Sequence, residues 1–394
     1  MFLISNTLSA QKPNVKNKTI KVQYANLPYN YVDPELRTFS VQGPNSEDIT
    51  LYGWEFKEEG GSVLLTNKNR RFSVGESVAD KKVTEKKDKE GNVTSRTTTY
   101  FVKSTSKGSW TLAINGPRNE LLSDKQKAKL EETKAKEAAK KKKKGEDKEE
   151  VNPFLANVEA EEKVDEASSR EGYKTYYDYE SRSFNYETSK LKSASAASAA
   201  YKRNIDLKVS EFEKQLDAEM QSHAHRQLNK KYGYAPVKVS ARFKVVGGKK
   251  HPEYENSQNA LKALEVIFGK MKFNESIDQI LVDAAPLVNY YEGIVKKYTG
   301  DKKAEKKVRL TGIYNLAQFY YYTDQPEKCK KYAQQLIDLK LDKSSGKKFI
   351  TNSDDLMKQL AHHKMETRHL ILEIDESKLL IEEEEEEVVE ESGN

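Results

Sequence analysis

The sequence predicts a multidomain α+β protein, and three observations carry that expectation. An N-terminal stretch alternates apolar and polar residues with period two. A middle stretch joins one long helical stripe to one clean strand, and a C-terminal stretch writes a pair of amphipathic helices more than once. The implied order is an antiparallel β-sandwich-like domain over 16–118, a charged linker over 119–165 and an α+β domain over 166–250. Helical hairpins over 251–372 and an acidic tail over 373–394 follow. A length of 394 residues suits two or three domains. With 36% hydrophobic and 33% charged residues the chain is polar, yet apolar enough to build cores.

The first eleven residues, MFLISNTLSAQ, read as a signal-peptide remnant. Phe2, Leu3 and Ile4 would end an apolar core, and Leu8-Ser9-Ala10 offers a small residue before Gln11. No basic residue precedes them and the apolar run is short, which suggests a trimmed or misassigned start. Strand signals then follow at Ile20–Tyr24, Phe39–Val41, Leu51–Phe56 and Val63–Leu65. A hairpin is expected over Val83–Val102 around Glu90-Gly91-Asn92, and Trp110, Leu112 and Ile114 close the region.

From Asp124 to Glu150 the chain is Lys, Glu and Ala, with an unbroken basic run at Lys140–Lys144. Such a segment buries too little apolar surface to order itself except as an exposed helix, so it reads as a solvated linker. Gly172–Phe184 is tyrosine-rich, and part of it reads as a strand. A long helix follows, with Ile205, Val209, Phe212, Leu216, Met220 and His223 on one stripe and an end near Tyr232-Gly233. Val237, Val239, Ala241, Phe243 and Val245 then alternate with polar residues as a strand. The tail beyond Leu370 is expected to be disordered.

In the stretch Val308–Leu339, Leu310, Ile313, Leu316, Ala317 and Tyr320 share one helical face, Thr323–Pro326 breaks it, and Cys329, Tyr332, Ala333, Leu336 and Ile337 form a second face. This pair resembles a tetratricopeptide repeat, a helical hairpin of about 34 residues. Leu316-Ala317, Tyr320, Cys329 and Leu336 stand at the repeat's characteristic places. Ile313 replaces its tryptophan, Ala333 its late aromatic and Leu341 its closing proline. Leu264, Phe268 and Ile277 repeat the spacing of Leu316, Tyr320 and Cys329, with Asn274 expected to cap a helix over Glu275–Ala285. A third hairpin is expected from Ser353, with Leu356, Leu360 and His363 on one face.

No phosphate loop, HExxH or Gly-x-Ser-x-Gly elbow occurs, and the single cysteine, Cys329, sits in a small-residue packing slot. His223 and His225 point to different faces of a helix. His362 and His369, seven apart, would share one face with only Glu366 nearby, which falls short of a metal ligand set. No catalytic, cofactor or metal site is therefore expected. The residues singled out for partner binding are Tyr290, Tyr291, Tyr321 and Tyr322. Consecutive tyrosines on a helix cannot all face the core, and tyrosine combines apolar area with a hydroxyl. Replacing Tyr321 and Tyr322 by alanine is expected to weaken partner capture more than folding.

The segments KKYGYAP, KKHPEYENSQNAL and METRHL, together with the Ser-Ala-Gln end of the leader, resemble the exported repeat proteins of Bacteroidota envelopes. That resemblance implies a periplasmic or outer-membrane-associated location and a scaffolding habit. The expectation is a non-enzymatic, exported binding protein that engages a protein or peptide partner, without a membrane span or nucleic acid. Two other readings stay open: an envelope-polymer hydrolase with an unrecognised acid pair, and a cytoplasmic nucleic-acid-binding protein using Lys140–Lys144.

Overall fold

The computed structural model describes residues 13–43, 49–121, 172–369 and a short strand at 382–384. The leader, the Lys140–Lys144 run and most of the acidic tail lie outside the described residues. Among these residues the strands are β1 (Val15–Ala25), β2 (Thr38–Gln42), β3 (Glu55–Phe56), β4 (Val63–Val74), β5 (Val78–Lys87), β6 (Val93–Pro117), β7 (Tyr173–Glu187), β8 (Pro236–Val246) and β9 (Glu382–Glu384). The helices are α1 (Ala194–Tyr232), α2 (Tyr254–Lys270), α3 (Asp278–Asp283), α4 (Ala285–Lys297), α5 (Lys303–Tyr322), α6 (Pro326–Asp338) and α7 (Lys343–His362). The chain divides into two compact units, Val32–Lys231 and Met1–Tyr31 with Tyr232–Asn394, so the first is inserted into the second.

In the inserted unit the strands form a six-stranded sheet, ordered β3-β2-β4-β6-β5 with β7 also on β6. β4 and β5 run end to end along β6, from Leu64 opposite Asn115 to Lys87 opposite Val93. The expected hairpin is present at the far end. The Asp88 carboxylate accepts the Glu90 and Asn92 N–H groups at 3.0 and 2.8 Å, and Gly91 takes φ 90°. β7 pairs with the base of β6, and every residue of β5 is exposed. The stretch Leu51–Phe56 is mostly turn, leaving only Glu55–Phe56 as strand.

Among the described residues of this unit no second sheet faces the first. Helix α1 lies on it instead, along the stripe read from its sequence. Leu216 and Met220 are fully buried, Phe212 stacks on Phe184 at 5.2 Å, and Trp110 Nε1 donates to His223 Nδ1 at 3.0 Å. A helix of 39 residues with so little apolar surface is held by this stripe rather than by propensity.

The other unit corrects the grouping expected from chain order. β1 leaves the N-terminal strands and pairs antiparallel with β8 in one unbroken register, Val15 opposite Val246 through Ala25 opposite Pro236. The tail also departs from expectation, since Glu382–Glu384 pair in parallel with Val237–Val239. Backbone pairing needs an open edge rather than apolar side chains. Helices α2 to α7 supply the rest of the core, with Phe243 meeting Phe268 and Phe268 meeting Phe319.

The helical breaks partly match the sequence. The α5–α6 pair spans the expected hairpin, and Cys329 and Leu336 are fully buried. The earlier copy differs: its second helix is split into α3 and α4 at Ala284, and it begins at Asp278 rather than beside Asn274. The third helix starts earlier than Ser353, at Lys343, where Asp342 accepts the Ser345 N–H at 3.0 Å. On α5, a Cβ at Gly312 would stand 2.9 Å from the Tyr291 carbonyl, so this glycine permits the close approach to α4.

Helices α5, α6 and α7 end alike. After each, a non-glycine residue (Asp324, Lys340 or Lys364) takes a left-handed φ of 53°, 51° or 54°. The next N–H then reaches back to a carbonyl of the last turn: Gln325 to Tyr320, Leu341 to Leu336, Met365 to Leu360. This is the Schellman arrangement, usually built on glycine.

Asp324 is kept for its carboxylate. It accepts from Thr367 Oγ1 at 2.8 Å, from the Arg368 N–H at 2.6 Å and from Arg368 Nε at 2.7 Å. Arg368 also donates to the Tyr321 carbonyl at 3.0 Å and lies 3.9 Å over the Tyr24 ring. Replacing Lys340 by glycine removes only strain and is expected to be neutral or stabilising by up to about 1 kcal/mol. Asp324→Gly leaves Arg368 charged, buried and unpaired, and is expected to cost about 3–5 kcal/mol. Urea unfolding followed by tyrosine fluorescence compares the two; equal effects would contradict this account.

Candidate functional site

The four expected tyrosines do not share one exposed face. Tyr291 and Tyr322 are 3% and 4% exposed and belong to the core. Tyr322 sits 6.1 Å from Tyr24 and 6.4 Å from Phe268, ring to ring. Its truncation would open a core cavity, which corrects the expectation that partner capture would suffer first. Tyr290 and Tyr321 are half-buried. Tyr321 lies 5.2 Å from the Arg368 guanidinium, and burial raises the phenol pKa of both Tyr290 and Tyr321 above the ordinary range. Tyr320 is likewise occupied, stacked on Tyr332 at 5.7 Å, and Tyr332 donates to Glu292 at 2.8 Å.

The histidines are structural joints. His223 accepts from Trp110 and faces Asp178 Oδ2 with its Nε2 at 3.1 Å. His363 lies between the Tyr234 hydroxyl at 3.3 Å and the Pro28 carbonyl at 2.9 Å. Helix α7 ends at His362, so His362 and His369 do not share a helical face. His369 instead donates from Nδ1 to the Lys272 carbonyl at 2.8 Å. Among the described residues no group of three His, Cys, Asp or Glu side chains is placed to hold a metal ion. The Cys329 thiol is pushed up to about 11 by burial, which keeps it protonated and unreactive at neutral pH.

The three segments that suggested an exported repeat protein all supply polar joints. Tyr234 belongs to KKYGYAP, and Thr367, Arg368 and His369 belong to METRHL. From KKHPEYENSQNAL come Glu253, which accepts from Lys297 at 2.6 Å and from Tyr298 at 3.0 Å, and Ser257 and Gln258. Ser257 Oγ accepts the Val246 N–H at 2.9 Å, and Gln258 Nε2 donates to the Val246 carbonyl at 3.0 Å.

Ser257 and Gln258 belong to a larger device. The bonds Asn26 N–H to Ala235 O and Gly247 N–H to Asn14 O fix which backbone groups of β1 and β8 face each other. Even-numbered residues of β8 therefore turn their N–H and C=O to the far edge of the sheet. Much of that edge is covered: Asn315 on α5, fully buried, accepts the Lys244 N–H and donates to the Lys244 carbonyl, both at 2.8 Å. Ser257 and Gln258 cover Val246, and β9 covers Val237–Val239. Its carboxamide stands in for a neighbouring peptide.

The opposite edge, along β1, is different. Asn17, Thr19 and Gln23 present their backbone groups there, and among the described residues no strand pairs with this edge. Its end is closed, where Ala25 N–H donates to the Arg368 carbonyl at 3.0 Å. Beside this edge runs a cleft of about 340 Å³. One wall is Thr19–Lys21 and Gln23 of β1; the other is Glu265, Phe268 and Gly269 of α2 with Met271, and Lys238 stands at its rim. Ile20, Phe268 and Met271 are buried and make the apolar floor. An extended chain can add to such an edge through main-chain bonds while alternate side chains enter the cleft.

The sequence offered only part of this site. The alternation in β1 was visible, but its pairing partner, and therefore which edge stays open, was not. No family model, curated protein or solved structure matched the chain on comparison.

Burial lowers the pKa of both His225 and His369 from the ordinary 6.5. The unfolded chain then binds protons below about pH 6.5 that the folded chain refuses, so stability falls as pH drops through that value. Thermal unfolding between about pH 8 and pH 5 should show this loss, with a shallower slope in His225→Leu. An unchanged slope would place the loss elsewhere.

Proposed function

We propose that the protein is an exported, non-enzymatic binding protein of the cell envelope that holds a protein partner by an extended segment laid along β1. The observation that carries this reading is the asymmetry of the β1–β8–β9 sheet. One edge is capped by Asn315, Ser257, Gln258 and β9, while along the other no strand pairs among the described residues and an apolar-floored cleft lies beside it. A long uncovered edge is a hazard that proteins ordinarily blunt, and a cleft beside it is the form taken by strand-adding binding sites.

The repeat-like helices serve as the scaffold. Their tetratricopeptide-like pattern and the shared ending of α5, α6 and α7 support a regularly stacked array. They hold the edge rigid through α2 and α5, whose side chains reach the sheet. The apparent leader and the resemblance to envelope repeat proteins support export, and no helix among the described residues is long and apolar enough to cross a membrane.

The test is co-purification of the full chain from native cells, with nuclease present and the bait's N-terminus read by mass spectrometry. Gly269→Trp serves as the control. Gly269 lines the cleft and a Cβ there meets nothing within 4 Å, so a large side chain starts in open space at the cleft wall. A processed N-terminus and a stoichiometric envelope partner lost in Gly269→Trp are expected. An intact Met1, or a partner indifferent to the filled cleft, would overturn the reading.

A further inference from the structure

We propose that the protein self-associates through β5: two copies lay this strand antiparallel along each other, with the two Val83 residues at the centre. The proposal concerns the inserted unit alone and stands apart from the β1 edge.

From Val93 to Thr99, β6 has β5 as its only strand partner among the described residues. β7 joins it at Lys103, and Leu191 adds one bridge at Tyr100. This end of the sheet is therefore a two-stranded ribbon, a form that is marginal in water until further strands join it. All ten residues of β5 are exposed, Val78 and Val83 among them at 61% and 41%. Its outward edge pairs with no described strand.

The ladder shows which backbone groups that edge offers. Tyr100 exchanges its N–H and C=O with Leu191, on the side of β6 away from β5. Lys81, opposite Tyr100, must then turn its own groups away from β6 as well. On the inner side, the Thr94 and Thr99 hydroxyls donate to the Lys86 and Lys82 carbonyls at 3.1 and 3.4 Å. Ala79, Lys81, Val83 and Glu85 therefore point their N–H and C=O outward. Two such strands can pair antiparallel only with odd-numbered residues opposite odd-numbered ones.

Charge selects one of those registers. With Val83 opposite Val83, Lys81 of each copy faces Glu85 of the other, and Asp80 faces Lys86. Each opposite-charge pair is made twice, and no like-charge pair occurs along the strand. Sliding two residues one way sets Lys82 against Lys82 and leaves no opposite-charge pair. Sliding the other way sets Lys81 against Lys87 and Lys82 against Lys86.

Asp80 and Glu85 already hold Lys103 and Arg96 of β6 at 3.1 and 3.2 Å. Those contacts can stay, because a carboxylate accepts from more than one donor. Lys81 and Lys86 make no ion pair among the described residues, and each gains one. The Lys81 N–H is held by the Asp80 carboxylate at 2.7 Å in the single chain. On pairing it turns to the Glu85 carbonyl of the second copy, and the released carboxylate oxygen meets Lys86. Lysines on an edge strand also serve to repel copies of the same edge. A purely repellent edge has no use for acids spaced to answer its lysines, and it predicts a monomer at every concentration.

The test is sedimentation velocity of the purified full chain at low salt over a wide concentration range. A monomer–dimer equilibrium that weakens as salt rises is expected. Val83→Pro removes one outward N–H and no bond to β6, so it should keep the circular dichroism and weaken dimerisation at least tenfold. Lys81→Glu and Glu85→Lys should each weaken it as much, by setting like charges opposite. Mixed together they should associate again, since each supplies the charge that the other lacks. Val83→Cys should crosslink to its own copy on mild oxidation, since directly opposed residues stand about 5.5 Å apart. Thr84→Cys, two residues out of step with itself, should not, and the native Cys329 is buried. A chain that stays monomeric overturns the proposal. So does a dimer indifferent to Val83→Pro, or a pair of charge variants that fail to associate on mixing.

Discussion

The pairing of Asp324 with Arg368 is the constraint on which the sheet-and-helix unit depends. Both groups are nearly inaccessible, with side chains 1% and 5% exposed, so neither can be left without the other. Burying two charges returns little net stability against an apolar pair of the same size. What it does fix is position. Asp324 ends α5, while Arg368 follows α7 and hands its carbonyl to Ala25 of β1. The pair thus joins a helix end, the segment after the last helix and the final residue of the edge strand. Its arginine also roofs Tyr24, and Tyr321 is spent on the same contact.

That arrangement explains why the tyrosines misled and the helices did not. Periodicity marks which residues lie on one face, and it placed α5, α6 and the stripe of α1 well. It says nothing about what covers the other face. Tyr321 and Tyr322 looked surplus to a helical core because a two-helix hairpin needs only one of its faces. In the structure α5 packs against α4 and α6 and sends Asn315 to the sheet, so most of its circumference is buried. The strands show the same limit. The alternation in β1 and β8 was plain, but β1 was grouped with its sequence neighbours because pairing is long-range information. The candidate edge site could not be read for that reason: an edge is defined by which strand is missing.

The polar joints were the least legible features. Asn315, Ser257 and Gln258 are unremarkable helical residues in the sequence, and only the direction of the β8 backbone groups gives them work. Asp324 read as part of a helix break, as it is, but its left-handed backbone and its claim on Arg368 depend on a segment more than forty residues on. The blocks that prompted a family resemblance turn out to carry these joints. Buried hydrogen-bonded groups tolerate little substitution, because each loss leaves a partner unsatisfied.

The insertion of Val32–Lys231 between β1 and β8 has a consequence for the order in which the molecule is made. β1 emerges well before its partner strand, which follows only after an entire unit has been synthesised. Until then its eleven residues are an unpaired, β-prone segment of the nascent chain. The inserted unit has its own sheet and core and can close early, whereas the outer unit must wait for the chain through Arg368 before its polar clamp can form. Ring closure on that scale favours slow, late assembly. The lysines of β1 then have a use before the fold exists, since charge on the waiting strand opposes its pairing with other chains.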